Sequence, residues 1–348
     1  MCKWQVIRGT KTVLAGLAIL ALVLAWGSAP VRAEDNDGDL GRDKVRVLTQ
    51  NMYIGGDLGK LSRGLAGLTE LYHDILAAKP AERAAAMAAE IAKQRPDFVA
   101  LHEVWKLSVG GIVQMDLLNV VDDLKALGQP YALIGTVDME DVEVSIPGFG
   151  LIHITDRDAI LMRTDVDILI IGVQSPHFKK QITLPPPFNQ ITTQAGYVSV
   201  DAIVRGLPLR FVSVHLIPNP TTIGPHTIEL LELAADTTTL PLVFGGDFNT
   251  HVDPLIYQTL INAQTRLTDA WKLLHPNQPG FTCCQAANLL NARSTLSLRI
   301  DLILSRDLAG VDNMKVFGDL PSDRTPSGLW PSDHAGLVAT LRGPVGHR

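Results

Sequence analysis

Short apolar segments with a period of two recur along the chain and predict β-strands. Three segments predict helices instead, and the clearest, 80–95, is rich in alanine and has a proline at a first-turn position. Strands outnumber helices and do not alternate with them strictly, so we expect mixed, largely antiparallel sheets rather than a doubly wound parallel sheet. The predicted strands are 45–49, 98–101, 159–162, 197–204, 209–215, 242–246 and 300–304, and the helices are 80–95, 111–127 and 227–238.

Two stretches, 138–154 and 174–195, do not fit compact strands and are predicted as irregular loops. The second contains three consecutive prolines, Pro185 to Pro187. Long loops on a rigid scaffold often shape a substrate-binding mouth, and otherwise they are variable surface. Both interpretations stay open.

The first 33 residues have the pattern of a secretory signal peptide. Lys3, Arg8 and Lys11 precede an apolar run at 13–26, and Val31-Arg32-Ala33 resembles a cleavage site. A membrane anchor is the alternative, but this run is short for a span of ~20 residues. We therefore expect cleavage near Ala33, a secreted or extracytoplasmic protein, a polar linker at 34–44 and a catalytic domain at 45–343.

Composition narrows the class of protein. The chain has 348 residues, of which 46% are hydrophobic and 19% charged, so it is globular and long enough for one large domain. Its formal net charge of −6 becomes more negative when the basic signal segment is removed, which disfavours non-specific polyanion binding without forbidding it.

Cysteine usage disfavours a structural zinc site. Apart from Cys2, the cysteines are the adjacent Cys283 and Cys284, and no Cys-x-x-Cys pair is present. Two neighbouring thiols outside the cell form a vicinal disulfide or stay buried as thiols, and the sequence does not choose between these states.

Polar residues with possible chemistry stand at the ends of predicted strands. Each alone could cap a turn, but together they offer oxygen ligands for Mg²⁺, Mn²⁺ or Ca²⁺ and imidazoles that can move protons. That combination suits metal-assisted hydrolysis of a phosphate ester. The oxygen-ligand candidates are Asn51, Glu103, Asp247, Asn249 and Asp333, and the proton-transfer candidates are His215, His334 and Asp301.

Seven short motifs in one order resemble the endonuclease/exonuclease/phosphatase superfamily. The resemblance spans roughly 45–341, and the order of seven motifs makes it far more specific than any one of them. The motifs are TQNM (49–52), HEVW (102–105), RDAILM (157–162), SVHL (213–216), GGDFN (245–249), RIDLIL (299–304) and SDHAG (332–336).

This resemblance implies a four-layer α/β sandwich, with two packed, mixed, largely antiparallel sheets flanked by helices. It also implies a Mg²⁺-dependent site (Mn²⁺ or Ca²⁺ being possible) with roles for individual residues. Glu103 would be the principal metal ligand with Asn51 and Asp333 nearby, and Asp247 and Asn249 would hold the phosphate and the nucleophilic water. His334, oriented by Asp301, would be the general base. His215 would bind a phosphoryl oxygen or protonate the leaving group, and Asp158 would lie near the site. The family usually has Gln where this chain has His102, a change expected to affect the surroundings of the metal ligand.

The predicted function is therefore that of a secreted phosphoesterase. Its substrate could be nucleic acid, a phospholipid headgroup or a small phosphorylated molecule, and the choice between diester and monoester stays open. We expect a monomer with no obligate protein partner. A different class, a catalytically inactive binding module on the same scaffold, is disfavoured because every metal-ligand and proton-transfer position is retained.

Overall fold

The computed structural model describes residues 40–146, 150–183, 192–235, 240–262 and 264–344. The predicted signal peptide, and most of the predicted linker, lie outside these residues. Within the described ranges, no helix is both long and apolar enough to span a membrane.

The described residues form fourteen strands and six α-helices. The strands are β1 Lys44–Asn51, β2 Phe98–His102, β3 Lys106–Val109, β4 Ile112–Asp116, β5 Tyr131–Ile146, β6 Gly150–Arg163, β7 Ile168–Gln174, β8 Tyr197–Val204, β9 Leu207–His215, β10 Leu242–Asp247, β11 Thr268–Asp269, β12 Asp301–Arg306, β13 Gly310–Phe317 and β14 Gly336–Arg342. The helices are α1 Gly64–Ala77, α2 Pro80–Gln94, α3 Val120–Ala126, α4 Ile223–Ala235, α5 Pro254–Leu260 and α6 Ala270–Leu274. Short 3-10 helices lie at Leu58–Arg63, Leu117–Asn119 and Pro321–Asp323.

Two mixed sheets form the centre of the fold. The first has the order β13-β14-β1-β2-β6-β3-β4, with β5 also paired to β6, and the second has the order β11-β12-β10-β9-β8-β7. Only the pairs β1–β2 and β9–β10 are parallel among these described strands. The expected mixed, largely antiparallel sheet architecture is therefore confirmed.

Alternation along β2 shows how the layers pack. Phe98 and Ala100 belong to the core between the sheets, whereas Val99 and Leu101 pack with residues of α1, α2 and α3 on the outer face. The Phe98 ring stacks on Phe211 of the second sheet, with a centroid distance of 5.5 Å. Helices α4 and α5 contribute to the core on the side of the second sheet. This arrangement is the expected four-layer sandwich, and it buries β2 on both faces.

Two predicted elements are wrong. The segment 111–127 is not one helix, because β4, a 3-10 turn and α3 divide it. Gly110 and Gly111, both with positive φ, reverse the chain between β3 and β4. The stretch 138–154 is not an irregular loop either: its described residues belong to the long β5–β6 hairpin, whose tip at 147–149 is outside the described residues.

The remaining predicted elements are close to those observed. The predicted helix 80–95 is α2, and the predicted helix 227–238 corresponds to α4, with 236–239 outside the described residues. In 174–195, Gln174 ends β7, while the rest of the described part is irregular apart from isolated bridges at His177 and Thr183. Residues 184–191, which include the three prolines, are not described.

Candidate active site

Three neighbouring strands of the second sheet bring together three of the predicted site residues. β9 runs parallel to β10 and places His215 opposite Asp247, while the antiparallel β12 begins with Asp301 opposite Asp247 from the other side. Because residues in register across a sheet are neighbours, this register alone groups two carboxylates and an imidazole.

The first sheet contributes Asn51 and Glu103 to the same place. Asn51 ends β1 opposite His102 on the parallel strand β2, and Glu103 follows directly. The Asn51 amide donates to Oε1 of Glu103 at 3.0 Å and to Oδ2 of Asp247 at 3.2 Å, and it thereby connects the two sheets. Glu103 has a φ of 54°, a conformation that non-glycine residues adopt at a cost and that is frequent at functional sites. Trp105 Nε1 donates a hydrogen bond to the second carboxylate oxygen of Glu103, Oε2, at 3.2 Å.

The predicted pair of His334 and Asp301 forms. Nδ1 of His334 is 2.8 Å from Oδ2 of Asp301, both side chains are buried, and Nε2 of His334 lies 3.9 Å from Oδ2 of Asp247. Burial acts to lower the pKa of His334, but the charge of Asp301 and other nearby carboxylates raises it well above its ordinary value. The Ser332 hydroxyl fixes the loop before it, accepting from the His334 backbone and donating to the Asn51 carbonyl.

Asp158 lies between two imidazoles. Its Oδ2 is 3.3 Å from Nδ1 of His102, and its Oδ1 is 3.6 Å from Nδ1 of His215. These are close imidazole–carboxylate contacts rather than full hydrogen bonds, and Asp158 is completely buried. Burial acts to raise its pKa, but His102 and His215 outweigh it and lower the pKa of Asp158 to about 2.

The neighbours of His215 favour its protonated form. Burial acts to lower its pKa, yet Asp158 and then Asp247 raise the pKa of His215 to about 10. Its Nε2 is 4.0 Å from Oδ2 of Asp247, on the site side of the imidazole. The N–H of a protonated His215 can donate to an anionic ligand such as a phosphoryl oxygen when a bound cation offsets the neighbouring carboxylates.

Asn249 is brought to the site by the turn after β10. Its backbone N–H donates to Oδ1 of Asp247 at 3.0 Å, and its side-chain amide donates to the Leu216 carbonyl at 2.8 Å. The residue has a φ of 45°, which asparagine tolerates better than most residues. Asn249 therefore joins the ends of β9 and β10.

Asp333 has the features of a cation ligand. Its Oδ1 is buried without a hydrogen-bond partner, and it lies 4.0 Å from Nε2 of His334. Burial raises the pKa of Asp333 to about 7 against the opposing charge of His334, and the charge of Glu103 adds to the rise. A buried carboxylate oxygen without a donor is satisfied by a cation, so the donor set at Glu103 and Asp333 fits a hard divalent ion.

A second group of ligand atoms lies beside Asp333 and shares no residue with this set. Asp247, Asp301 and His334 each place one ligand atom within 4.8 Å of the others. Glu103 is not in that group; Asn51, through its two hydrogen bonds, lies between Glu103 and Asp247. Carboxylates therefore lie on both sides of Asn51.

Two further carboxyl groups at the site were missed by the sequence analysis. Asp156 and Glu140 face each other in the β5–β6 register, and burial, followed by the charge of Glu103, raises both of their pKa values. Asp156 is two residues before Asp158 on the same strand, a spacing that puts both on one face. The spacing of Asp156 and Asp158 is a sequence signal for Asp156 at the site, whereas Glu140 lies in a stretch that the sequence predicts as a loop.

Arg83 was also missed. This fully buried residue of α2 donates to the carbonyls of Met52, Tyr53 and Pro331 at 2.8–2.9 Å and to that of Ala78 at 3.0 Å. Burial lowers its pKa to about 10, against the charge of Asp333, which raises it. The guanidinium ties the loop after β1 to the loop that carries Asp333. Nothing in its sequence context, a charged residue in an alanine-rich helix, signals that role.

Comparison with known proteins identifies the family. The profile of the Endonuclease/Exonuclease/phosphatase family matches residues 71–334. The chain belongs to this family. Members of the family hydrolyse phosphoric esters and generally depend on a divalent metal ion, which agrees with the donor set described above. A search of curated protein sequences found no significant match.

Solved structures share the fold of the endonuclease/exonuclease/phosphatase family with this chain at low sequence identity. A family protein from Leptotrichia buccalis is 17% identical, with a TM-score of 0.56 over 86% of this chain and 99% of that one. A family protein from Bacteroides thetaiotaomicron is 16% identical, with a TM-score of 0.55 over 87% and 96%. D. rerio TDP2 in a humanized form is 18% identical, with a TM-score of 0.54 over 86% and 99%. D. rerio TDP2 has also been solved complexed with single strand DNA product, at 17% identity and a TM-score of 0.54 over 86% and 99%.

Proposed function

We propose that this protein is a divalent-metal-dependent phosphoesterase in which a histidine-activated water attacks phosphorus. The observation that carries the proposal is the His334–Asp301 pair, 2.8 Å apart, whose second imidazole nitrogen points toward a pocket lined by Asp247 and Asp333. An oriented imidazole can accept a proton from water, and oxygen ligands beside it can hold a cation against a phosphate ester.

His334 takes the proton of the attacking water in this mechanism. Asp301 holds Nδ1 of the imidazole, so Nε2 is the acceptor in the neutral form, which a bound divalent ion would favour by offsetting the carboxylates that raise the pKa of His334. The carboxylate fixes the tautomer and stabilises the imidazolium that forms. Thr282 in turn holds Asp301, because its hydroxyl accepts from the Asp301 backbone N–H at 3.1 Å.

His215 and Asn249 act on the phosphoryl group. His215 is positively charged beside Asp158 and donates to a phosphoryl oxygen, or gives its proton to the leaving oxygen as the ester bond breaks. Asn249 and Asp247, joined through the Asn249 backbone N–H, position the phosphate and the water.

Glu103, Asn51 and Asp333 would hold the metal ion, with Mg²⁺ proposed and Mn²⁺ or Ca²⁺ as alternatives. A bound divalent ion neutralises charge on the phosphoryl oxygens. The support comes from the unpartnered Asp333 oxygen and the all-oxygen donor set. In the present structure the Asn51 amide oxygen accepts from the Tyr53 backbone, so Asn51 could serve the site by aligning Glu103 and Asp247 as well.

A phosphodiester of nucleic acid is the substrate class to test first. D. rerio TDP2, which shares the fold, was solved with a single strand DNA product. The negative net charge of this chain argues for a short or local contact with a polyanion rather than a long basic groove. Phospholipid headgroups and small phosphorylated molecules stay as alternatives, and so does a monoester.

We further propose that the protein is exported and loses residues 1–33. The support is the basic flank, the apolar run and the small-residue cleavage pattern in the sequence. Mass spectrometry of the exported protein should find a new N-terminus near Glu34. Recovery of the intact chain in the membrane fraction would instead favour an anchor.

A substrate panel with matched variants tests the activity. The panel contains single-stranded DNA, RNA, phospholipid vesicles, inositol phosphates, and aryl phosphate mono- and diesters, each with Mg²⁺ and with excess EDTA. His334→Ala should lower turnover by ~10² or more, since general-base catalysis is lost. His153→Ala is the control, because His153 is half-exposed and pairs at 2.6 Å with Asp141, which is not one of the proposed site residues.

The outcomes separate the hydrolase from the binding module. Metal-dependent turnover that His334→Ala abolishes and His153→Ala leaves intact supports the hydrolase. Full turnover in EDTA would contradict the metal's role. Tight metal-dependent binding of a phosphate ester, with no turnover of any substrate, would support the inactive module instead.

A further inference from the structure

The adjacent cysteines lie directly beside the proposed general base. Cys283 and Cys284 are joined as a disulfide in the structure, and the backbone of Cys283 forms a bridge with that of His334. One ligand atom from each cysteine and one from His334 lie within 4.8 Å of one another. Two sulfur atoms and an imidazole therefore converge at the edge of the active site.

Hydrogen bonds hold this segment on both halves of the catalytic pair. The Thr282 hydroxyl accepts from the Asp301 backbone, and its carbonyl accepts from the Ala335 backbone at 2.7 Å. The Gln285 backbone donates to the Asp333 carbonyl at 2.8 Å. The main chain on either side of the cysteine pair is thus fixed, so the sulfur atoms stay near His334 whether or not they are joined.

The geometry fits a thiolate and imidazole metal site once the disulfide is opened. Zinc binds cysteine sulfur at about 2.3 Å and histidine nitrogen at about 2.0 Å, which places tetrahedral ligand atoms roughly 3.5–3.8 Å apart. The imidazole nitrogen already lies within 4.8 Å of both sulfur atoms, and the sulfur atoms, bonded to each other in the oxidised pair, move apart to that spacing once the disulfide is opened. Cys283 is buried and Cys284 is partly exposed, so a reductant and an ion approach from the side of Cys284.

We propose that reduction of Cys283–Cys284 creates a binding site for a thiophilic cation of the zinc class, formed by both thiolates and His334. The fourth position is left for water. The ion occupies an imidazole nitrogen that the hydrolysis needs, so the reduced protein is inhibited by zinc and the oxidised protein is not. The inhibition rests on the proposed function; the metal binding does not.

The chemistry of opening balances with a named reductant. A phosphine transfers two electrons to the disulfide and becomes a phosphine oxide with an oxygen from water, whose two protons go to the sulfur atoms. Binding of the divalent ion then releases both thiol protons. In an oxidising compartment the pair stays joined, so the site exists only where a reductant reaches it.

Cobalt binding to the whole protein provides a direct readout. The protein is reduced with a water-soluble phosphine, freed of excess reductant and titrated with Co²⁺, alongside the oxidised protein and the double variant Cys283→Ala/Cys284→Ala. We expect one thiolate-bound Co²⁺ per reduced chain, measured by a thiolate-to-cobalt charge-transfer band that Zn²⁺ displaces, and no such band in the other two samples. His334→Ala should weaken Co²⁺ binding at least tenfold; unchanged affinity would overturn His334 as a ligand.

Two controls keep the test decisive. Near-UV circular dichroism follows the fold, and loss of the native signal on reduction would overturn the proposal, because the site needs the folded segment. A charge-transfer band absent from the reduced protein, or equal in the double variant, would also overturn it. In the activity assay with saturating Mg²⁺, Zn²⁺ should inhibit the reduced wild type at least tenfold more strongly than the double variant. If no sample hydrolyses any ester, the proposed function fails, while the cobalt result still decides the metal site.

Discussion

The raised pKa of Asp333 predicts how the stability of the metal-free protein depends on pH. Burial raises this pKa from 3.8 to about 7, whereas the unfolded chain keeps the ordinary value. Between these two pH values the native protein binds more protons than the unfolded chain, so its stability falls as the pH rises through this window. The change corresponds to about 4 kcal/mol at most, since one pKa unit is about 1.4 kcal/mol.

A divalent ion should reverse that loss. Mg²⁺ binds the ionised carboxylate and replaces the proton, so its stabilising effect is small at pH 5 and grows toward pH 8. Urea unfolding in EDTA and in excess Mg²⁺, at several pH values between 4 and 8, measures both effects without any substrate. The test therefore does not depend on knowing which ester is cleaved.

Asp333→Asn isolates the contribution of this carboxyl. Other groups with raised pKa values, such as Asp156 and His215, also lower stability as the pH rises, so the informative quantity is wild type minus variant. We expect this difference to fall by up to about 4 kcal/mol across the window. A flat difference would refute the assignment of the raised pKa to Asp333. Equal stabilisation of both proteins by Mg²⁺ would remove Asp333 from the metal site.

Three further predictions concern side chains around the pocket. Asp301→Asn should lower kcat about 10²-fold because it misplaces His334. In steady-state assays, the double variant with His334→Ala should lose little more activity than His334→Ala alone. If the two losses instead multiplied independently, the pairing of Asp301 with His334 would be contradicted. His102→Leu should lower kcat ~10-fold in the same assays because Asp158 loses an imidazole partner. His102→Gln keeps a hydrogen-bond donor and should retain most of the wild-type kcat. Equal losses in the two variants would contradict a role for His102 as the donor beside Asp158. Arg83→Met should lower the free energy of unfolding, measured with urea, by about 3 kcal/mol or more, since four buried carbonyls lose their donor. A decrease below about 1 kcal/mol would contradict the structural role of Arg83.

Most of the candidate site could be predicted because its residues follow buried strands. Asn51 and Asp247 stand where an apolar strand gives way to a polar residue, Asp301 begins an apolar strand, and the sheets bring these strand ends together. The pairing of Asp301 with His334 followed from the family resemblance and is present in the structure. What a sequence lacks is the register, which decides that Asp247 lies between His215 and Asp301.

The misassigned segments had physical signals that pointed both ways. The apolar residues of 112–126 fit a helical period and a short strand equally, and the glycine pair before them was the deciding sign of a hairpin. In β5, alternate positions from Glu140 to Ile146 are exposed and half-buried, a period of two on a strand that extends beyond the core. This part of the strand resembles a loop in sequence because acidic residues stand on both of its faces.

Arg83 could not have been predicted because its partners are main-chain carbonyls. The carbonyls of Met52 and Pro331 have no side-chain signature, and they come together only after both loops have folded against α2. Since every described hydrogen bond of the guanidinium goes to a carbonyl, its charge partly offsets Asp333 without neutralising it by a direct ion pair. The site therefore keeps an excess of negative charge beside His334, which adds to the effect of burial in raising the pKa values of Asp333 and Asp247. We therefore expect a divalent cation shared by these carboxylates to lower the free energy of the folded protein at neutral pH, and we expect metal binding and catalysis to depend on the same residues.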